Sequence, residues 1–543
     1  MTKPLDPGIV FDALARRGSP TVVHLSRPLD LAPQEGTRWT VPQLAGLVRD
    51  TAARLAAAGA GPGDHVAVVK RNHWDYVLLA CAAVRIGAVP ALLSDHLAPE
   101  VLDTLLERLR PAVLVTQTHL LRTAARADVE LARHSACTLT LDSASLHDSV
   151  PDDTRPPQPV RSFHDLPARP LAPIHRRGDG EPLAVHHTSG TTGVPKLVVH
   201  STTTLIRRLA GFEARRWPVV TPRAGDTVAS AISFAHGRAL AWTVSALWHQ
   251  PREAVIVADS DPDAARRTLT AHPPTVLEAL PSTYVRWQRL AAEPDSPFRD
   301  VRMYISTFDA VHPPTVRVFL DASRRARPLW MQGWGQTETG PLTFRFLTRG
   351  ALARRAERHP TTRDLGRPVP GWVGLRVVDP RTFQPVPRGQ VGLVLTRTKA
   401  RCLGYLGEQD RWDEKAHGPW FNTGDLAVRT RGGSLILLDR EVDMIPGLSC
   451  VELEDVLHDR LPEVEEAVVL GVVDRDPQTV LVVNAPIDPA RWRHAVRDLP
   501  ALAEPLTVDW DAVPRTATGK VRRHELRDRY LAGTATHGTG RWT

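Results

Sequence analysis

The sequence predicts an α/β protein: a large N-terminal domain of doubly wound sheets with a strand-rich subdomain, and a small α+β domain at the C-terminal end. Three observations predict it. Apolar β-type segments alternate with helical ones from about residue 40 to residue 307, the pattern of a parallel sheet covered by helices. A strand-rich stretch follows at 372–436. Beyond 439–443 the pattern turns compact and mixed.

Each element has its own signal. Residues 40–95 read as helix, strand, helix: VPQLAGLVRDTAARLAAAGA, HVAVVK and WDYVLLACAAVRIGAV, with PALLS as the next strand. The β pattern recurs in PAVLVTQ (111–117) and CTLTLD (137–142). Residues 148–181 are rich in Pro, Arg and Asp, which predicts an irregular surface connection. It ends at a strand over 182–187, a loop over 188–195, a strand over 196–200, and a helix from Thr203 with Leu205, Ile206 and Leu209 on one face. TVASAIS, EAVIVA, TVLEALP and VRMYIST continue the alternation. After 443 come helix VELEDVLHDRL, strands EEAVVLGVV and TVLVVNA, helix ARWRHAVRDL, and a last helix after Lys520. The Gly- and Thr-rich tail, 531–543, is expected to fray.

Composition narrows the class. A chain of 543 residues, 42% hydrophobic and 24% charged, is that of a soluble globular protein of several cores. The longest apolar run, about 76–84, falls short of the roughly 20 residues a bilayer needs, and MTKPLDPGIV lacks a signal peptide's basic-then-apolar layout. A cytoplasmic protein with no membrane partner is expected. The net charge of +8 invites nucleic acid, but the basic residues are scattered and only six of the 68 are lysine, so no nucleic-acid partner is expected. Where arginine replaces lysine almost everywhere, a retained lysine points to a need for its compact ammonium. Lys196 and Lys520 sit in the two most motif-like segments. Cys81, Cys137, Cys402 and Cys450 have no metal-ligand spacing and are expected to be free thiols.

The stretch HHTSGTTGVPKLVVH (186–200) surrounds Gly190 and Gly193 with the hydroxyls of Thr188, Ser189, Thr191 and Thr192, and then places Lys196. It is not the P-loop GxxxxGK[ST], because Val194 and Pro195 separate glycine from lysine. Glycine amides and hydroxyls at a turn still make a nest for anionic oxygens. A polar hairpin loop without a ligand is the plain alternative. Three further segments, each readable alone as a turn, join it: WMQGWGQTETGP (330–341), FNTGDLA (421–427) and PRTATGKVRRHEL (514–526).

Together, in this order, they resemble the adenylate-forming superfamily: acyl- and aryl-CoA ligases, peptide-synthetase adenylation domains and beetle luciferases. The resemblance covers about residues 40–530. It implies a large domain over 1–438, a hinge at 439–443, and a mobile C-terminal lid over 444–530, with the active site between the domains. It implies chemistry too: a carboxylate joins the α-phosphate of ATP, and pyrophosphate leaves. Two anions must meet, so oriented donors and positive charge must offset their repulsion. By resemblance, Thr188, Ser189, Gly190, Thr191, Thr192 and Gly193 would cradle the outer phosphates with Lys196 nearby. Trp334, in the usual tyrosine position and followed by Gly335, would pack on adenine. Thr337 would bond the α-phosphate, and Glu338 would help hold Mg²⁺, which takes oxygen ligands. Asp425 would take both ribose hydroxyls with Arg440 assisting. Lys520 would bridge the carboxylate and the α-phosphate as the lid closes. His236, in SAISFAHGRALAW (230–242), falls where an aromatic or histidine often gates the acyl group; a packing histidine is the plain alternative.

The chain also departs from the pattern. The usual glycine-rich segment after YIS reads STFDAVHP, with Thr307 and Phe308 in place of small residues. Either the pocket is narrowed or the loop is re-routed. The hinge reads DREVDMI, with Asp439 for glycine and Val442 at the hinge position, and the loop by the pantetheine path keeps only Gly447. The leading expectation is an AMP-forming ligase for a small aromatic or unsaturated carboxylic acid, with CoA or a carrier-protein phosphopantetheine as acceptor. The departures support an alternative: a diazotase that activates nitrite for an aromatic amine. A third reading, a non-catalytic nucleotide-binding relative, is opposed by the intact Lys520, Glu338 and Asp425.

Overall fold

The computed structural model describes residues 5–142, 160–167, 174–188, 194–353, 361–441, 448–472 and 475–531. The chain forms two compact units. The first holds Met1–Glu278, Thr337–Gly340 and Ala400–Trp412; the second holds Ala279–Gln336, Pro341–Lys399 and Asp413–Thr543.

The first unit is built on two sheets. In one, Pro182–His187, Val89–Ser94, His65–Lys70, Val113–Thr116, Cys137–Thr140 and Val160–Ser162 lie side by side and parallel. Every residue of Val89–Ser94 is buried, as expected of a parallel strand covered on both faces. The helix Val41–Ala57 starts at a capping box. Thr40 accepts from the Gln43 N–H, and the Gln43 side chain accepts from the Thr40 N–H. The helix Asp75–Arg85 is buried on all sides, which explains its nearly continuous apolar run. At the sheet's edge Leu197–Ser201 folds back antiparallel on Pro182–His187, and Gly404–Tyr405 pairs outside it. In the other sheet Thr227–Ala231, Glu253–Ile256 and Val22–Leu25 run parallel, with Arg38–Thr40 antiparallel at the margin.

In the second unit Met303–Ser306 pairs in parallel with Leu329–Gln336. The aromatic rings of Tyr284, Tyr304, Phe319 and Trp330 fill the core beside them, Tyr284 and Trp330 with centroids 4.6 Å apart. The expected strand-rich stretch is an antiparallel sheet: Val373–Val378, Val391–Thr398 and Trp420–Arg429 in sequence, with Ala416–His417 and Leu435–Arg440 each paired to Trp420–Arg429. C-terminal to it, the helix Cys450–Arg460 packs with Val464–Leu470 and Gln478–Val483 around Leu453, Leu457, Ala467, Leu481 and Trp492.

The α/β fold class is therefore as expected, and most predicted elements fall within two or three residues of their observed bounds. Some differ. Part of the predicted irregular connection, Val160–Ser162, is a parallel edge strand followed by the buried Phe163. Three residues are too few to show a period. The helix after the strand Leu197–Ser201 is wound as a wide π-helix over Thr202–Ala210. The helix Val10–Arg16 and the strand Val22–Leu25 were not foreseen. All four cysteines are free and buried. No helix among the described residues is long and apolar enough to cross a membrane. Val442, Asp443, Gly447 and the tail beyond Leu531 lie outside the described residues.

Candidate active site

The hairpin that carries Thr188 and Lys196 closes at a neck. The Thr188 N–H donates to the Lys196 carbonyl at 3.0 Å, and the Lys196 N–H donates to Thr188 Oγ1 at 3.1 Å. Ser189, Gly190, Thr191, Thr192 and Gly193 lie outside the described residues. Lys196 Nζ stands 4.8 Å over the Tyr405 ring and 3.5 Å from its hydroxyl. That hydroxyl donates to Glu338 Oε1 at 2.7 Å. Burial, and then the Glu338 charge, hold the Tyr405 hydroxyl above its ordinary pKa, so it remains a donor. Sequence reasoning placed Lys196 and Glu338 but missed Tyr405. LGYLG carries no specific signal; the link comes from Tyr405 pairing opposite Val198, two residues beyond Lys196.

Thr337 meets two histidines. His236 caps the helix Gly237–Trp248, its Nδ1 accepting the Arg238 N–H at 3.0 Å. A neutral ring then carries its hydrogen on Nε2, which donates to Thr337 Oγ1 at 3.3 Å and leaves the Thr337 hydroxyl hydrogen free to face a ligand. His200 bonds the Thr337 backbone, and burial pushes its pKa down to about 4. Next to His200 lies His186, fully buried, the ring centroids 5.7 Å apart. The register explains the pair. His200 lies opposite Ala184, and Ala184 and His186 share a face because side chains alternate along a strand. His187, on the other face, accepts the Ser94 N–H at Nε2 and bonds the Thr188 carbonyl through Nδ1. His186 and His200 were not foreseen.

The second unit holds the remaining candidates. Trp334 and Gly335 lie on Leu329–Gln336, and Trp334 packs on the cluster of Leu375, Val377, Val394, Ala427 and Leu435. Asp425 is 5% exposed, with both carboxylate oxygens engaged: Gln336 Nε2 at 3.0 Å and Arg440 Nε at 3.2 Å. Gln336 also donates to the Thr423 carbonyl at 2.6 Å, a tie between two motifs that the sequence reading left out. Each carboxylate oxygen keeps a second lone pair, so the set can still accept ribose hydroxyls. Lys520 sits on a turn closed between Thr516 and Lys520, with Gly519 at φ +77°. A side chain at 519 would strike Ser282 Oγ, so the turn packs closely on the helix Pro281–Arg286. Phe308 adopts φ +84°, the left-handed backbone that favours glycine. The bulky residue therefore stands on a glycine-type backbone.

Residues 12–406 match the family described as AMP-binding enzyme, which is more than half of the chain. The chain belongs to that family. Its class is that of the AMP-forming ligases, whose members use ATP and Mg²⁺. The chain is 39% identical over 535 residues, 96% of its length and 94% of that protein's, to a 3-amino-2-hydroxy-4-methoxybenzoate diazotase of Streptomyces cremeus. It is 28% identical, over 91% of its length and 92% of the relative's, to a 3-hydroxybenzoate–CoA ligase of Aromatoleum sp. (strain CIB). Among solved structures, a benzoate CoA ligase of Burkholderia xenovorans aligns with a TM-score of 0.74 at 22% identity, over 96% of this chain and 99% of that one.

Proposed function

We propose that this member of the AMP-binding enzyme family is an ATP-dependent diazotase. It joins nitrite to the α-phosphate of ATP with loss of pyrophosphate, and an aromatic amine then takes the activated nitrogen. The likeness to the Streptomyces cremeus diazotase over nearly the whole chain carries the reading. Phe308 supports it, since a bulky side chain stands on a glycine-type backbone in the segment that, by resemblance, lines the acid pocket. An amine acceptor needs neither CoA nor a carrier protein, which suits a pantetheine loop reduced to Gly447. The substrate proposed is a small aromatic amine, and the place of action the cytoplasm.

The assigned residues divide the work. Thr188 to Gly193 and Lys196 hold the departing pyrophosphate, and Trp334 and Gly335 border the adenine. Asp425 and Arg440 hold the ribose. Thr337, oriented by His236, donates to the α-phosphate. Glu338, a buried carboxylate fixed by Tyr405, offers the hard oxygen that Mg²⁺ requires. The ion, when bound, offsets phosphate charge. Residues 439–443 are the proposed hinge, and Lys520 arrives on the lid 444–530 to pair with the reacting anion.

The carboxylate-activating reading rests on the aryl-CoA ligase likeness, which is weaker. The two separate with ¹⁵N-nitrite, ATP and an aminophenol, with a coupling phenol as trap. A diazotase gives an azo product carrying one ¹⁵N and one AMP per azo bond. No labelled azo product, with AMP formed from an aromatic carboxylate and CoA, sinks the proposal.

A further inference from the structure

His186 is fully buried, yet neither ring nitrogen has a hydrogen-bond partner among the described residues. Leaving a buried polar group unpaired is costly, so a natural protein that retains one has a use for it. The surroundings are shaped to admit the ring. A side-chain carbon at Gly237 would stand 3.2 Å from His186 Cε1 and Nδ1. Gly237 is not in the left-handed region, so its backbone does not call for glycine. Glycine at the first turn of a helix, where most residues stabilise better, leaves space for the imidazole. The ionisable groups around it are His187, His200 and His236, and burial followed by these neighbours keeps His186 far below the usual histidine range. The ring is therefore neutral, with one N–H donor and one nitrogen acceptor. It lies beside His200 and against the first residue of the helix that His236 caps, and both of those histidines bond Thr337.

This arrangement, taken with the diazotase reading on which the inference rests, assigns the ring a task. We propose that His186 receives the aromatic amine: its bare nitrogen accepts the amine N–H, takes that proton as the N–N bond forms, and returns it to the oxygen that leaves as water. The amine lone pair attacks the nitrosyl nitrogen of the adenylyl nitrite, the N–O bond to the nucleotide breaks, and AMP departs with its electron pair. One amine proton passes to His186. The nitrosamine shifts its remaining N–H hydrogen to oxygen, giving the diazohydroxide. The His186 proton completes that oxygen as water, the N–O bond breaks, and the diazonium remains. One proton is taken and one returned, and no oxidant or reductant is needed. A weakly basic imidazole suits both steps. The nitrosated amine is strongly acidic and needs only a weak base, whereas the imidazolium that results is acid enough to drive loss of water.

The neutral His186 ring offers no positive charge, so it suits a neutral amine better than a carboxylate. A specificity for unprotonated aromatic amines over ammonium-bearing aliphatic ones follows.

Two half-reactions measured on the full-length protein test the proposal. Nitrite-dependent exchange of labelled pyrophosphate into ATP reports the first, which uses no amine. Diazonium formation from 2-aminophenol, trapped as an azo dye, reports the second. In His186→Phe the ratio of second to first is expected to fall at least about tenfold, with a raised KM for the amine. In His186→Asn, which keeps a donor and an acceptor but no base, kcat is expected to fall while KM for the amine stays near that of the parent. An unchanged ratio in His186→Phe overturns the inference; if that variant does not fold, an unchanged ratio in His186→Asn does so. Wild-type protein without nitrite-dependent exchange overturns the diazotase reading itself, and the inference with it.

Discussion

The imidazole of His236 and the hydroxyl of Thr337 meet at 3.3 Å, while the other ring nitrogen caps the helix Gly237–Trp248. One side chain thus both starts a helix and aims a hydroxyl. The two roles separate by substitution. Asn caps a helix well but cannot reach as far, so His236→Asn should keep its melting temperature and lose about tenfold in pyrophosphate release. His236→Ala should lose the cap as well, about 1 kcal/mol by urea denaturation. Full activity in His236→Asn would mean that Thr337 needs no such aim.

Tyr405 links the hairpin lysine to the buried carboxylate. Tyr405→Phe keeps the ring beneath Lys196 but strips Glu338 of the donor at 2.7 Å. The concentration of Mg²⁺ giving half the maximal rate should rise several-fold, since a less oriented ligand binds the ion less well. Titration of the rate with MgCl₂ at saturating ATP checks this, and an unmoved midpoint argues against Glu338 as the Mg²⁺ ligand.

Lys520→Ala should abolish most adenylyl transfer while ATP binding stays near normal, because the role proposed for the lysine lies only where charge develops. Calorimetric ATP binding beside pyrophosphate release distinguishes the two. Unreduced release would remove Lys520 from the reaction.

The buried histidines set a direction for stability against pH. Burial lowers His200 to about 4, whereas an unfolded histidine titrates near 6.5. Between these values the unfolded chain binds the extra proton, so stability falls as pH drops below about 6.5 and levels off under about 4. The loss is roughly 3 kcal/mol for His200 alone, and His186 acts in the same direction. His312 behaves oppositely. Burial opposes its charge, but the hydrogen bond and charge of Asp455 outweigh it and raise its pKa. Its stabilisation is present below about 6.5 and is lost as pH rises through the raised value. Urea denaturation at pH 7 and pH 5 should show a loss in the parent and a smaller one in His200→Gln. An equal loss in both would place the acid sensitivity elsewhere.

Much of this was legible in the sequence. Periodicity located the parallel strands and their helices because continuous burial leaves continuous apolar runs, as at Val89–Ser94 and Asp75–Arg85. The roles proposed for Thr337, Glu338, Asp425 and Lys520 rest on the resemblance of their motifs. The histidine cluster was not, because it depends on an irregular hairpin register that puts His200 opposite Ala184. Nor was Tyr405, which reaches Glu338 only through edge pairing. The helix Cys450–Arg460 bonds His312 and Arg317 through Asp455 and Asp459, distant partners that no local pattern announces. Phe308 was read as a departure from a glycine pattern, and the backbone there turns out to retain glycine's conformation.

The most direct test of the central claim is release of AMP and pyrophosphate by the purified protein with Mg-ATP. The panel sets nitrite, with and without an aromatic amine, against aryl, cinnamyl and short acyl acids, with and without CoA. The account predicts turnover that requires nitrite and accelerates with the amine. Turnover driven by a carboxylate and accelerated by CoA, with no response to nitrite, would contradict it.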